Sequence, residues 1–555
     1  MIGKSIGCSL GTSLSASLMT LAVVAGMSIS SQAAQKSLLT QHVREAVRSG
    51  QAATLGHLPA SQALRFDIVL AVRDQPGLDQ FIKDVYDPSS PTYHHYLTPQ
   101  EFTEKFGPSE QDFNALIHFA TDNGFAVMGG SRDAMDVQLK GSVGAIEAAF
   151  HVTMNVYQHP TENRTFYAPD REPSVDLPFQ LWHISGLDSY SIPRPAFKVR
   201  PADAKPNATT GSCPGASFCG SDMRAAYYGG TTLTGKNQYI GLLEYAGYDI
   251  ADVNTYYKNA GQKRTAAVKG VSTDGTSLTC KASAGCDDTE QTIDITQALG
   301  MAPGTKKLYV FVGSTDTALL GAMSSNSPLP LNLSSSWVWA PADPSTDDPY
   351  FTKMQSQGQS FFEAAGDSDA WTTSGYSYPS EDPNVICVGG TDLTTKSAGG
   401  AWSSEIGWAD GGGGISPDKL LIPSYQTAKG IITSGNKGST KYRNGPDVSA
   451  NSNFTFYVCA DQTTCSENLY GGTSFAAPMW AGYLALANEQ AATNGDAAPG
   501  FINPAIYALG LTKSYDSNFH DITSGNNGFP AKKGFDLDSG WGSPNGATLI
   551  DTLAP

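Results

Sequence analysis

Tyr239-Ile240-Gly241-Leu242-Leu243 is a short apolar run that reads as a buried strand. Thr289 to Leu299 then has the composition of a helix, stopped by Gly300 and Pro303, and Lys307 to Val312 reads as a second buried strand. Strand, helix, strand at this spacing predicts α/β architecture, a parallel sheet flanked by helices. On the predicted helix, Glu290 and Asp294 are spaced i,i+4, so both side chains leave one face a single turn apart. Two like charges there weaken the helix near neutrality, but they can share a proton and split their pKa values. Acids in a first helical turn are also favoured by the helix dipole, so the spacing alone leaves a surface role open.

Further along, Gly471-Gly472-Thr473-Ser474-Phe475-Ala476-Ala477-Pro478 sets a serine between glycines and an apolar helical run, Phe475 to Asn488. A hydroxyl at a helix N-terminus lies beside backbone N–H groups that can also serve an oxyanion. Serine needs a base to become a nucleophile, and no histidine lies between His183 and His520. A carboxylate is therefore the expected base. Asp367, in Phe361-Phe362-Glu363-Ala364-Ala365-Gly366-Asp367-Ser368, follows a strand-like run, where α/β proteins place functional groups and where turns also place caps.

The whole chain of 555 residues, 40% hydrophobic and 16% charged, is long enough for two or more domains with a large core. Its net charge of −17 disfavours nucleic acid and anionic membrane surfaces as partners. From residue 201 onward, 20 Lys+Arg stand against 33 Asp+Glu, a balance that suits acid as well as an ordinary acidic secreted protein.

Lys4, the apolar segment Leu18 to Met27 and the small residues Ser31-Gln32-Ala33-Ala34 read as a signal peptide over residues 1–34, which predicts a secreted, extracellular protein. Three close cysteine pairs, Cys213 and Cys219, Cys280 and Cys286, Cys459 and Cys465, suit small disulfide loops, and Cys387 in an apolar run suits a buried thiol. Residues 35–190 read as a first α+β unit: Thr98-Pro99-Gln100-Glu101 is a capping box, Ser109 opens a helix, and strands are expected over Gly124 to Met128, Met135 to Leu139 and Val152 to Tyr157. Eight of the nine histidines lie in it, either as a pH-sensitive set or as chance enrichment in solvated positions. Ser191 to Asn207 carries four prolines and four basic residues, and is expected to be an exposed, extended linker with a processing site, bounded at 191–210. The second unit covers 211–555.

Taken together, these motifs resemble the sedolisin family of serine-carboxyl peptidases, which share the subtilisin fold. Glu290 and Asp294 match its Glu-x-x-x-Asp motif, Ala365-Gly366-Asp367 its Ser-Gly-Asp motif, and Gly472-Thr473-Ser474 to Pro478 its serine motif. Gly412 to Ser416, Arg443 to Ser449, and in the first unit Tyr93 to Thr98 and Phe106-Gly107-Pro108, match further signatures. Ala364-Ala365 where Ser-Ser is usual, and Cys387 where alanine is common, remove no reacting group.

The resemblance implies a subtilisin-like parallel sheet preceded by an α+β antiparallel propeptide domain, which acts as intramolecular inhibitor and chaperone. It implies a monomeric serine-type endopeptidase, made as a zymogen, that acts on proteins and peptides with an acidic pH optimum. In that reading Ser474 attacks, Glu290 is general base and then acid, Asp294 orients it, and protonated Asp367 serves the oxyanion. It also implies one structural Ca²⁺ held by Asp521, Asp536 and the carbonyls of Ile522, Lys532 and Gly534. A catalytically silent peptide-binding homologue is disfavoured by the complete set of four groups, and a secreted esterase by the missing second glycine after Ser474.

Overall fold

The computed structural model describes residues 36–201, 210–462 and 464–555, so the expected signal peptide and Cys8 lie outside the described residues. From residue 36 onward the described chain forms one compact unit.

The second unit is built on an eight-stranded sheet in the order Ala267–Ser272, Lys307–Val312, Tyr239–Glu244, Asn332–Ser335, Ser360–Ala364 and Ile386–Thr395. All neighbours in that order run parallel. Val448–Asn451 joins Ile386–Thr395 in parallel, and Trp402–Gly407 joins it antiparallel. The first two predicted strands lie where expected, buried because helices cover both faces.

Two helices matter most for function. Thr289–Met301 is buried along its whole length, and Ala476–Asn494 begins directly after a 3-10 turn over Thr473–Phe475. The second helix carries alanine and glycine on the face it turns to the first. A Cβ on Gly482 would stand 2.7 Å from the Ala298 carbonyl oxygen and 2.9 Å from the Met301 Cβ, so glycine permits this close crossing. Two buried helices held at backbone contact give their side chains a fixed separation.

In residues 36–190 a four-stranded antiparallel sheet, in the order Ala126–Ser131, Asp136–Ser142, Ala63–Leu70, Leu181–Ser185, packs one face on helices Glu110–Asp122 and Val143–Phe150. The capping box at Thr98 and Glu101 forms, and Ser109 caps its helix. The other side of this unit joins the second unit in a shared apolar core: Val69, Leu78, Phe102, Phe106 and Met135 pack with Leu319, Leu320, Met323, Tyr350, Phe351 and Met354. Polar groups are buried at the same boundary. Asp67 and Asp136 sit there with their carboxyls pushed up by burial, and Lys353 donates to the Asp133 carbonyl oxygen.

The histidines are not all solvated. His42 and His183 stack at 4.4 Å between centroids; His42 Nε2 accepts from the Ile184 N–H, and His183 Nδ1 meets the Thr40 hydroxyl at 2.7 Å. Burial holds His183 well below the usual histidine range. The three expected disulfides are formed and Cys387 is a buried free thiol. Among the described residues no helix is long and apolar enough to cross a membrane.

Candidate active site

Ser474 sits in the 3-10 turn between strand Ser466–Gly471 and the long buried helix. Its Oγ donates to Glu290 Oε2 at 3.0 Å. Glu290 and Asp294 occupy the first turns of helix Thr289–Met301, and the close crossing at Gly482 brings that helix face to the serine. Asp294 Oδ1 accepts from the Ser336 hydroxyl at 2.8 Å.

A third carboxyl, one that the sequence reasoning missed, completes this group. Glu244 ends strand Tyr239–Glu244, is fully buried, and accepts from the Trp337 indole N–H at 3.0 Å. Burial and the neighbouring Asp294 push Glu244 and Glu290 well above the usual carboxyl range, and burial raises Asp294. Glu290 Oε1, Asp294 Oδ2 and Glu244 Oε1 are buried and accept no hydrogen bond from other described groups. Three carboxyls without a cation cannot all ionise, so protons are shared along the row from Ser474 through Glu290 and Asp294 to Glu244. The only signal for Glu244 in the sequence was its place at the end of the first strand.

Asp367 lies three residues beyond strand Ser360–Ala364 and bonds to Thr473, the neighbour of Ser474. Its Oδ1 accepts from the Thr473 N–H and the Thr473 hydroxyl, both at 2.8 Å, while Thr473 Oγ1 in turn accepts from the Gly366 N–H at 3.0 Å. Oδ2 is buried with no hydrogen-bond partner among the described residues. Burial raises the Asp367 carboxyl to about 8 against the bonds from Thr473 and the cation of Lys198. A proton on Oδ2 is therefore retained through neutrality, and the group can donate a hydrogen bond.

The linker is extended along two strand edges, with Ile192, Arg194 and Val199 exposed and Ala196 alone buried among its described residues. Arg194 and Pro195 pair antiparallel with Val338 and Trp337, and Lys198 and Val199 pair antiparallel with Gly471 and Tyr470. Between these pairs Ala196 is 2% exposed; its N–H donates to the Ser336 carbonyl oxygen at 2.8 Å, and its own carbonyl oxygen accepts the Ser474 N–H at 3.0 Å. An extended chain can satisfy its backbone on two strand edges while most of its side chains stay in contact with water. Gly472, at φ 146°, makes room: a Cβ there would overlap the Ala196 carbonyl oxygen, Asp367 Oδ2 and the Phe197 Cα. Those three atoms thus surround one point beside the serine. Residues 202–209 lie outside the described residues.

His520, the histidine of the second unit, stacks on Trp402 at 3.9 Å and burial lowers it to about 4. Four of the five residues expected to hold a metal are joined in two bonds: Asp521 Oδ1 accepts from the Gly534 N–H at 3.0 Å and Asp536 Oδ2 from the Lys532 N–H at 2.6 Å. Asp536 is fully buried, and its Oδ1 accepts from the N–H groups of Asp538 and Ser539. Among the described residues no cluster of three or more His, Cys, Asp or Glu side chains could hold a metal. Two carboxylates with three loop carbonyls are a different set, one of hard oxygens that fits Ca²⁺ and not a transition metal.

Comparisons with known proteins bear on the fold and the family. Residues 50–189 match the model of the pro-kumamolisin activation domain, and residues 251–531 match that of the subtilase family. The chain is 28% identical to kumamolisin of Bacillus sp. (strain MN-32) over 556 residues, covering 94% of this chain and 97% of that protein. It is 27% identical to sedolisin of Pseudomonas sp. (strain 101), covering 91% and 89%, and 28% identical to xanthomonalisin of Xanthomonas sp. (strain T-22), covering 88% and 65%. The solved structure of Pseudomonas sedolisin, a serine-carboxyl proteinase complexed with two molecules of pseudo-iodotyrostatin, aligns at a TM-score of 0.51 with 24% identity, covering 62% of this chain and 99% of that one, a likeness of fold. With the family model spanning half of its length and the activation domain preceding it, the protein belongs to the subtilase family, as a sedolisin-type serine peptidase with a propeptide.

Proposed function

We propose that the protein is a secreted, acid-active serine-carboxyl endopeptidase whose linker is its first substrate. The observation that carries this reading is the pair of bonds at Ser474: its Oγ donates to Glu290 at 3.0 Å while its N–H holds the Ala196 carbonyl oxygen at 3.0 Å. A serine poised on a base, with a peptide carbonyl on its backbone amide, has the parts of an acyl transfer.

In the proposed sequence Ser474 Oγ attacks the carbonyl carbon and its proton passes to Glu290. Asp294 and Glu244 share the charge that would otherwise concentrate on one carboxyl. The oxyanion is held by the Ser474 N–H and by the proton on Asp367 Oδ2. Glu290 then gives its proton to the leaving amine, the C–N bond breaks, and an acyl-enzyme on Ser474 remains. Water, deprotonated by Glu290, releases the new carboxyl end. Applied to the chain itself, this cuts Ala196–Phe197 and removes the covalent link between residues 35–196 and the peptidase. The unit acts as a monomer.

The test follows the purified precursor and its Ser474→Ala variant from about pH 3 to pH 7 with a denatured protein as substrate. The parent is expected to shorten at Ala196–Phe197 and to digest substrate in acid, and the variant to do neither. Digestion by the variant, or activity confined to neutral pH, would overturn the assignment.

One Ca²⁺ is proposed at the turn of residues 532–534, held by the side chains of Asp521 and Asp536 and the carbonyls of Ile522, Lys532 and Gly534. The ion supplies no step of hydrolysis; it fastens the C-terminal loops to the core. A chelator is expected to lower Tm by about 5 °C at saturating metal, with Asp536→Asn giving the low value in either buffer. Equal Tm with and without chelator would remove the metal from the account.

A further inference from the structure

The linker lies in the cleft in a defined register, and its side chains therefore report which substrate side chains the peptidase accommodates. The backbone bonds that hold it are indifferent to sequence: the pairs with Trp337 and Val338, the pairs with Tyr470 and Gly471, and the two bonds at Ala196. In strand addition of this kind the backbone supplies affinity and the alternate side chains supply choice.

Four contacts define that choice. Ala196, before the bond held at Ser474, is buried to 2% in the main core, and Phe197, after it, packs half-buried against the Tyr470 ring at 6.0 Å. Two cations flank the bond. The Arg194 guanidinium lies over the Tyr376 ring at 4.5 Å, and Lys198 Nζ reaches Asp410 Oδ2 at 3.4 Å. Arg194 also meets Glu162 at 3.1 Å, but Glu162 belongs to the propeptide and leaves with it. Asp410 stays. It lies in the loop after strand Trp402–Gly407, and its carbonyl oxygen accepts the Asp369 N–H at 3.1 Å, which ties this loop to the segment carrying Asp367.

Resting on the peptidase reading above, we infer that the enzyme selects protein segments with a small residue before the bond cut, an aromatic residue after it and a Lys or Arg one place further on, and that Asp410 is the residue that selects this cation. The sign of charge agrees, since the chain from residue 201 onward carries 20 basic against 33 acidic residues. The Lys198 and Asp410 side chains keep 37% and 33% of their exposure, so water screens the pair and the preference it gives is modest, about fivefold.

The experiment compares acid-processed enzyme on three peptides, Arg-Pro-Ala-Phe-X-Val with X as Lys, Gln or Glu, at about pH 5, with mass spectrometry to locate the cut. The parent is expected to cut between Ala and Phe and to give kcat/KM about fivefold higher for Lys than for Gln, mostly through KM. Asp410→Asn should bring that ratio to about one, and Asp410→Lys should favour Glu over Lys. A variant that merely folds poorly would lower all three values and keep their ratio. A ratio of one in the parent, a ratio unchanged in Asp410→Asn, or a cut at another bond overturns the inference. If denatured protein is still digested in a Ser474-dependent manner, the peptidase reading survives that failure; if neither peptide nor protein is cut, both fall.

Discussion

Glu290→Gln is expected to lower kcat/KM on a peptide substrate on the order of 10³-fold while leaving Tm at or above that of the parent. The amide cannot take the Ser474 proton, so the base is lost. Its shape is kept, however: the amide oxygen can still accept from Ser474 Oγ, and the amide nitrogen can donate to the buried Asp294 Oδ2, which lacks a donor among the described residues. One of three mutually repelling buried acids is removed at the same time. Parallel measurement of kcat/KM and of Tm by calorimetry separates the two effects. Retained activity would show that another group serves as base, and a Tm many degrees lower would show that the carboxyls stabilise the fold.

Asp367→Ala is expected to lower kcat about 10²- to 10³-fold, the usual cost of losing one oxyanion donor. Asp367→Asn is the sharper probe. Oδ1 is fixed as an acceptor by the Thr473 N–H and hydroxyl, so the asparagine oxygen takes that place and its NH₂ stands where Oδ2 stood. A donor is thus present at every pH. In the parent the donor is a carboxyl that burial raises above the usual range, so activity is present while it holds its proton and is lost as pH rises through that raised value. The acid limb falls where the Glu290 and Asp294 pair takes its second proton and Glu290 can no longer accept one. The pH profile of kcat/KM should therefore lose its alkaline limb in Asp367→Asn and keep its acid limb. An alkaline limb that persists in that variant would assign it to another group.

The two helices and the grouping of Glu290 and Asp294 with Ser474 were legible because their signals are local. Glu290 and Asp294 share a turn, and Ser474 is marked by the glycines before it and the apolar helix after it. The cysteine pairs were legible for the same reason, each closing a loop of sequence separation 6. Glu244 was not, because its partner Asp294 lies on another element and strand ends carry acids for many reasons. Asp410 sits in a polar glycine-rich loop, where nothing in the spacing points to Lys198. Within the linker only the burial of Ala196 was hidden, because composition reports what a segment would do alone in water. The pairing around it depends on two strand edges more than a hundred residues away, one at Trp337 and the other at Gly471.

The apolar core that joins Val69, Leu78, Phe102, Phe106 and Met135 to helices Asp316–Met323 and Pro344–Ser356 bears on how long activation takes. A cut at Ala196–Phe197 removes a covalent tether and leaves that core intact. Each of those five buried side chains is worth about 2 kcal/mol when withdrawn from water, so the severed propeptide stays in place as a tight, noncovalent ligand. What changes is its effective concentration, which falls from the millimolar range of a tethered segment to that of the solution. Bond cleavage would then be fast and unimolecular, whereas the appearance of activity would follow dissociation and become more complete as the protein is diluted.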